Sequence, residues 1–214
     1  MNSASSLRDQ LGAILGPGLA VDPLGHAQQV AEIAGVLHEA FQREGLRCTL
    51  VGGSAIEVHA PGIYKSGDID VVIEGPVQGL RGRIAEVFTA LGFSSQGRHW
   101  SRGDLFVEVP SHMMEDPSEM VRAGSAVFAV VAKEVVLADR VVGFMHWRVT
   151  AYGQQVIDML AAFGDNLDMS WLAPRPHREG SWDAFVRLGD LATSSAPVTE
   201  EVLQGLLGEL RRRP

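Results

Sequence analysis

Two aspartates lie two positions apart at the start of the apolar segment DIDVVIE, residues 68–74. Alternate side chains of a β-strand point to the same face, so Asp68 and Asp70 would project together, roughly 7 Å apart along the chain. Carboxylates this close repel each other unless a cation lies between them. Their oxygens suit Mg²⁺ or Mn²⁺, which binds a few carboxylates together with substrate phosphates. The pair predicts a metal site; the alternative is two aspartates at a solvated strand end.

A third acid, Glu108, interrupts the apolar run LFVEVP on a later strand-like segment. An acid between Val107 and Val109 either lies at an exposed edge or belongs to a site. Asp104 has the same parity along this strand and is the second candidate. Given the aspartate pair, we expect Glu108 to be the third acidic ligand of the metal.

A glycine turn lies upstream of the aspartates. The strand-like segment RCTLV, residues 47–51, ends at Gly52-Gly53-Ser54, where a helix is predicted to begin. Glycine lets the backbone approach a ligand closely, and the N-terminus of a helix presents free N–H groups to an anion. The turn therefore predicts phosphate binding, although a Gly-Gly turn between a strand and a helix is more often purely structural.

A basic and aromatic cluster, Arg98-His99-Trp100, precedes the strand of the third acid. Such a cluster can stack on a base or contact a phosphate. An exposed strand of mixed polarity explains it equally well.

Hydrophobic periodicity and turn residues predict the elements that position these side chains. The predicted helices cover residues 27–44, 54–59, 80–91, 133–147, 152–164, 182–192 and 199–212, and the predicted strands cover 47–51, 68–74, 97–101, 104–109 and 126–131. The expected organisation is an N-terminal segment and linker over 1–26, a mixed α/β core over 27–131 and a helical C-terminal region over 132–214.

Composition narrows the function classes. The 214 residues are 46% hydrophobic and 21% charged, with a net charge of −8, which is typical of a globular protein and unfavourable for wrapping nucleic acid. Cys48 is the only cysteine, which excludes an intrachain disulfide and a cysteine zinc site and fits the cytoplasm. No apolar run approaches the roughly 20 residues of a membrane helix, and no P-loop or GxSxG motif is present.

Residues 50–74 resemble the nucleotidyltransferase superfamily with the DNA polymerase β-like fold. Val51-Gly52-Gly53 matches the first block of its signature and Asp68-Ile69-Asp70-Val71 the second, and a third carboxylate on a later strand is part of the pattern. More narrowly, the chain resembles AbiEii-toxin-like and uncharacterised bacterial and archaeal members. The resemblance implies an α/β (α+β) fold whose mixed sheet is flanked by helices, with a helical C-terminal part.

The resemblance also implies the chemistry and its residues. A nucleotide would pass from a nucleoside triphosphate such as ATP to a hydroxyl of RNA, protein or a small molecule, with Mg²⁺ or Mn²⁺ as cofactor and no membrane partner. The nucleotide-binding residues would be Gly52, Gly53, Ser54, Lys65 and Ser66. The catalytic and metal-binding residues would be Asp68, Asp70 and Glu108, with Glu108 completing a second metal site or serving as the base.

The sequence departs from the family pattern at two places. The gap between Gly53 and Asp68 is at the long edge of the usual range, and Tyr64 stands where many relatives carry arginine. Lys65 supplies a cation beside it, but lysine lacks the two-pronged geometry of arginine. A catalytically inactive nucleotide-binding or protein-interaction module on the same fold is therefore the alternative to a toxin-type enzyme.

Overall fold

We describe the protein from a computed structural model, which covers residues 3–97 and 99–211, with side chains from residue 6 onward. The chain divides into two compact units, Met1–Ala132 and Lys133–Pro214. The architecture is mixed α/β, as the sequence predicts.

In its described residues, 3–97 and 99–132, unit 1 contains a seven-stranded mixed sheet and four helices. The strands are β1 (Arg47–Val51), β2 (Ile69–Glu74), β3 (Ser94–Gln96), β4 (His99–Arg102), β5 (Leu105–Glu108), β6 (Ser118–Ala123) and β7 (Ala126–Val131). The helices are α1 (Ser3–Leu15), α2 (Pro23–Arg43), α3 (Gly52–His59) and α4 (Leu80–Ala90). The strand order is β3-β4-β5-β2-β1-β7-β6.

The centre of the sheet mixes the two strand directions. Strand β1 pairs antiparallel with β2 and parallel with β7, while β2 pairs parallel with β5. On β2, Ile69, Val71 and Ile73 are all buried and share one face, because alternate side chains of a strand point the same way. Asp70 therefore lies on the opposite face.

Helices α2 and α4 pack on the apolar face of the sheet. Phe88 of α4 stacks on Trp100 of β4 with ring centroids 4.6 Å apart and meets Phe41 of α2 edge to face at 5.2 Å. Trp100 points away from its neighbour His99, whose register partner is Glu108. The helices that bury the core thus lie on the side of the sheet opposite to Glu108.

Unit 2 is helical. Its elements are α5 (Lys133–Trp147), α6 (Thr150–Phe163), α7 (Met169–Leu172), α8 (Pro174–Arg178), α9 (Trp182–Thr193) and α10 (Glu200–Leu210). Helix α6 contacts α5, α9 and α10, and the core includes the fully buried side chains of Phe144, Val156 and Leu188. Across residues 3–97 and 99–211, no helix is long and apolar enough to cross a membrane.

Most predicted elements are present, with two kinds of difference. Helix α2 begins at Pro23 rather than at residue 27, because Asp22 caps it by accepting a hydrogen bond from the Gly25 N–H at 2.7 Å. Strands β3 and β6 and the short helices α7 and α8 were not predicted. Strand β6 reads SEMVRA and lies at the edge of the sheet, so it lacks the apolar pattern of a buried strand.

Candidate active site

The pairing of β2 with β5 brings the three predicted acids together. Asp70 and Glu108 are register partners on these parallel strands, and Asp68 lies just before β2. Each acid can offer one carboxylate oxygen such that all three oxygens lie within 4.8 Å of one another. The side chains are half-buried. Asp104, the second candidate, is instead exposed in the turn between β4 and β5 and is not part of this group.

The arrangement fits a divalent cation. Three carboxylates converge from two strand ends on the same face of the sheet, and their mutual repulsion has to be offset. Oxygen ligands of this kind suit Mg²⁺ or Mn²⁺ rather than Zn²⁺, which prefers nitrogen and sulfur. Partial exposure leaves room for further oxygen ligands, such as water or phosphate.

The glycine turn lies directly against the acids. Val51, the last residue of β1, is the register partner of Asp70, so Gly52 follows at the position next to that carboxylate. Gly52 has φ +62°, and a Cβ at this residue would overlap Asp70 Oδ2. Only glycine satisfies both constraints without strain. Because α3 begins at Gly52, the N–H groups of its first turn, which have no acceptor within the helix, lie beside the acidic cluster.

Ser54 has an internal role in this structure. Its side chain is completely buried, and its hydroxyl donates to the main-chain carbonyl of Asp68 at 2.8 Å. Ser66 is also buried and donates its hydroxyl to Asp68 Oδ1 at 3.4 Å. Both serines contact Asp68, and the nucleotide-binding role that the resemblance implies for them stays a prediction.

Tyr64, which stands where many relatives carry arginine, and its neighbour Lys65 do not point at the three acids. Lys65 is exposed, and its Nζ donates to the Ala20 carbonyl at 2.9 Å. The ring of Tyr64 lies against Gly53, where a Cβ would come within 3.0 Å of Tyr64 Cε1. Tyr64 thus occupies space beside the glycine turn. The nucleotide-binding role of Lys65 stays a prediction.

The neighbours His99 and Trp100 of the basic and aromatic cluster lie on opposite faces of the sheet. His99 lies beside the acids, with Nδ1 3.7 Å from Glu108 Oε2. Trp100 is only 8% exposed and stacks on Phe88, so it belongs to the core and is not available to stack on a base. Arg98 lies outside the described residues.

The sequence did not predict the buried pair formed by Glu57 and His26. Glu57 of α3 is completely buried and its Oε2 lies 2.6 Å from His26 Nδ1 of α2, while its Oε1 accepts from the Ser66 N–H at 2.8 Å. The one feature of the sequence that could have indicated this pair is the acid Glu57 within the mostly apolar segment SAIEVHA. Its partner His26 is 31 residues away in sequence, and no local pattern connects the two.

Two other features of unit 1 lie apart from the acids. A cavity of about 800 Å³ is lined by residues including Arg81, Trp100 and His112, and none of the three acids lines it. Cys48 is buried on the apolar side of β1, and burial raises the pKa of its thiol to about 12. The thiol therefore stays protonated at neutral pH, which disfavours Cys48 as a nucleophile.

Comparison with solved structures identifies the fold as nucleotidyltransferase-like. The chain is similar to an antigenic nucleotidyltransferase-like protein from Paracoccidioides brasiliensis, with 11% identity and a TM-score of 0.52 over 74% of this chain and 92% of that chain. It is less similar to the antibiotic-resistance factor ANT(2'')-Ia in solution, with 18% identity and a TM-score of 0.46 over 74% of this chain and 97% of that one.

A third similar structure is JHP933 from Helicobacter pylori, with 13% identity and a TM-score of 0.41 over 83% of this chain and 94% of that chain. No protein-family model and no curated protein sequence matches the chain. At these identities the likeness establishes the fold, which the motifs predicted, and leaves activity to be argued from the site.

Proposed function

We propose that the protein is a metal-dependent nucleotidyltransferase that transfers a nucleotide from a nucleoside triphosphate to a hydroxyl group. One observation carries the proposal: the carboxylates of Asp68, Asp70 and Glu108 converge within 4.8 Å beside the glycine turn that opens α3. Three acids and a helix N-terminus next to each other form a site for a cation and a phosphate chain together.

In this proposal each element has a defined task. Asp68, Asp70 and Glu108 would hold Mg²⁺ or Mn²⁺, which neutralises charge on the phosphates and orients them. The N–H groups of Gly52-Gly53 bind phosphate oxygens, since glycine lets the backbone approach them closely. Positioning and charge neutralisation supply most of the catalysis in phosphoryl chemistry.

The transfer itself requires one proton acceptor. The oxygen of the acceptor hydroxyl forms a bond to the α-phosphorus, the bond from that phosphorus to the bridging oxygen breaks, and pyrophosphate leaves. Glu108 would either complete the metal site or accept the hydroxyl proton. In the second role the acceptor would approach from the side of β5, because β5 and the glycine turn after β1 flank β2 in the strand order β5-β2-β1.

The finer assignment rests on the motifs. Gly-Gly-Ser-Ala at 52–55 and Ser-x-Asp-Ile-Asp at 66–70 favour a toxin-type enzyme of the AbiEii-like group. The acceptor would be RNA, protein or a small molecule, and the net charge of −8 is less favourable for RNA than for the other two.

Binding is tested by thermal unfolding with Mg²⁺ and each nucleoside triphosphate. Ligands that bind only the folded state raise the melting temperature. We expect a metal-dependent rise in the wild type that disappears in Asp68→Asn and Asp70→Asn. Asp104→Asn is the matched control, because this exposed acid lies outside the cluster and its loss should leave the rise unchanged. A rise that persists in both Asp68→Asn and Asp70→Asn would exclude these residues as ligands.

Transfer is tested by incubating the protein with labelled nucleoside triphosphates and cellular RNA, protein and metabolites. Label on one of these fractions, absent with Asp70→Asn, identifies the acceptor class. The second candidate, a catalytically inactive binding module, is favoured by Tyr64 in the position of the family arginine. It predicts the thermal shift without label transfer.

A further inference from the structure

We infer that the buried pair Glu57–His26 is a positioning device for the metal site: it fixes the segment that carries Asp68 without touching substrate itself. This inference rests on the proposed function for its catalytic consequence. Its structural basis is separate, and consists of a chain of contacts from α2 through α3 to the residue before β2.

The carboxylate of Glu57 is engaged at both oxygens. The side chain is 0% exposed; Oε1 accepts from the Ser66 main-chain N–H at 2.8 Å, and Oε2 lies 2.6 Å from Nδ1 of His26, which is itself 6% exposed. A buried carboxylate is costly unless its lone pairs are satisfied. An apolar side chain would fill the same space, but only an acceptor at this position can hold the Ser66 N–H.

Ser66, which Glu57 holds in place, in turn contacts the metal-ligand candidate Asp68. Its hydroxyl donates to Asp68 Oδ1 at 3.4 Å, and one turn earlier on α3 the Ser54 hydroxyl donates to the Asp68 carbonyl at 2.8 Å. Residues three apart on a helix lie on the same face, so Ser54 and Glu57 form two anchors for one segment. Helix α3 thus holds the Asp68 main chain directly, through Ser54, and the Asp68 side chain indirectly, through Ser66.

The glycine turn depends on the same anchors. A Cβ at Gly53 would lie 2.8 Å from Ser66 Oγ. The first turn of α3 and the Ser66 segment are therefore in close contact, and displacement of one moves the other. Glu57 and His26 consequently couple the expected phosphate-binding turn to the expected metal ligand.

The test measures Mn²⁺ binding to the full-length protein by electron paramagnetic resonance, with no nucleotide present. In Glu57→Leu the Ser66 N–H loses its acceptor, and we expect Mn²⁺ affinity to fall at least tenfold, a loss typical of groups that orient metal ligands. Glu57→Gln should restore affinity to within about threefold, because its amide oxygen accepts from Ser66 and its NH₂ donates to the other tautomer of His26.

His26→Leu provides a second variant that leaves the Glu57–Ser66 bond possible, and we expect a smaller loss of Mn²⁺ affinity. The matched control is His38→Leu. His38 also lies on α2 and also contacts the sheet, since its Nδ1 lies 3.1 Å from the Cys48 carbonyl oxygen and 3.4 Å from the Ala129 nitrogen and can hydrogen-bond to one of them in each tautomer. The His38→Leu substitution should lower the melting temperature without changing Mn²⁺ affinity. Circular dichroism checks that each variant is folded.

Kinetics separate positioning from general destabilisation. With saturating metal, Glu57→Leu should lower kcat more than it raises KM for the nucleotide, whereas His38→Leu should change neither. Unchanged Mn²⁺ affinity in Glu57→Leu and His26→Leu, or losses no greater than in His38→Leu, would overturn the positioning role. Mn²⁺ binding without nucleotide transfer in the wild type would remove the proposed function alone, and a wild type that binds no Mn²⁺ would remove both.

Discussion

At the scale of single residues, Gly52 is under the tightest constraint in the site. Its φ of +62° lies in the left-handed region, and its Cα faces the Asp70 carboxylate so closely that a methyl group has no space. Two independent physical reasons, backbone conformation and contact, thus require glycine where β1 becomes α3.

Gly52→Ala should therefore lose both stability and metal binding. The left-handed backbone alone costs a non-glycine residue about 1–2 kcal/mol, and the added methyl group must also displace Asp70. Gly124→Ala is the matched control, because Gly124 has φ +59° and no neighbour within 4 Å of the Cβ position. Thermal unfolding should show a loss in both variants, but Mn²⁺ affinity should fall only in Gly52→Ala. Equal affinities would refute the contact with Asp70.

Cys48 yields a prediction about pH. Burial raises the pKa of its thiol from 9.0 to about 12, so the folded state keeps its proton in a range where the unfolded state loses it. Stability from this residue is complete below pH 9.0 and falls as the pH rises toward 12. In urea titrations, Cys48→Ser should show a shallower loss of stability above pH 9 than the wild type. A thiol reagent should label the native protein only as fast as it unfolds.

At the scale of elements, the register between strands β2 and β5 determines which acids meet in the site. Asp70 faces Glu108 because β2 and β5 pair in parallel with these residues opposite each other. A slip of one residue would turn Asp70 to the buried face among Ile69, Val71 and Ile73. The apolar face of β2 therefore fixes the orientation of the acids.

The start of α2 is the second element-level constraint, because His26 lies in its first turn. Asp22→Ala removes the cap that accepts from the Gly25 N–H, and should cost about 1 kcal/mol of unfolding free energy. Thr199→Ala removes the equivalent cap of α10, which accepts from the Val202 N–H. We expect chemical denaturation to show a similar loss for both, and Mn²⁺ affinity to fall only in Asp22→Ala. If the Asp22 variant binds Mn²⁺ normally, the first turn of α2 does not support the site.

At the scale of the whole molecule, the three acids and the glycine turn all belong to the unit Met1–Ala132. We therefore predict that Mn²⁺ alone protects main-chain amides in unit 1. Hydrogen exchange read by mass spectrometry should slow in peptides covering residues 52–74 and 105–108. The same protection in Asp70→Asn would show that the ion binds elsewhere.

Local pattern alone identified much of this molecule. The spacing of Asp68 and Asp70, the glycine turn and the periodic apolar residues of the main helices are written within short stretches of chain. Their physical basis is local: side-chain alternation in a strand, helical periodicity and the conformational freedom of glycine. These features sufficed to predict a mixed α/β fold, and the resemblance of the motifs in residues 50–74 to a known superfamily predicted that the fold is nucleotidyltransferase-like.

Tertiary structure alone decided which distant residues meet. The pairing of β2 with β5 brought Glu108, the acid already preferred from sequence, next to Asp70, and the contact of Glu57 with His26 joins two helices. It also assigned Trp100 to the core and the Ser54 hydroxyl to the main chain of Asp68. A hydrophobic pattern states which face of an element is buried, but not which element lies against it, because that choice depends on the packing of the entire sheet.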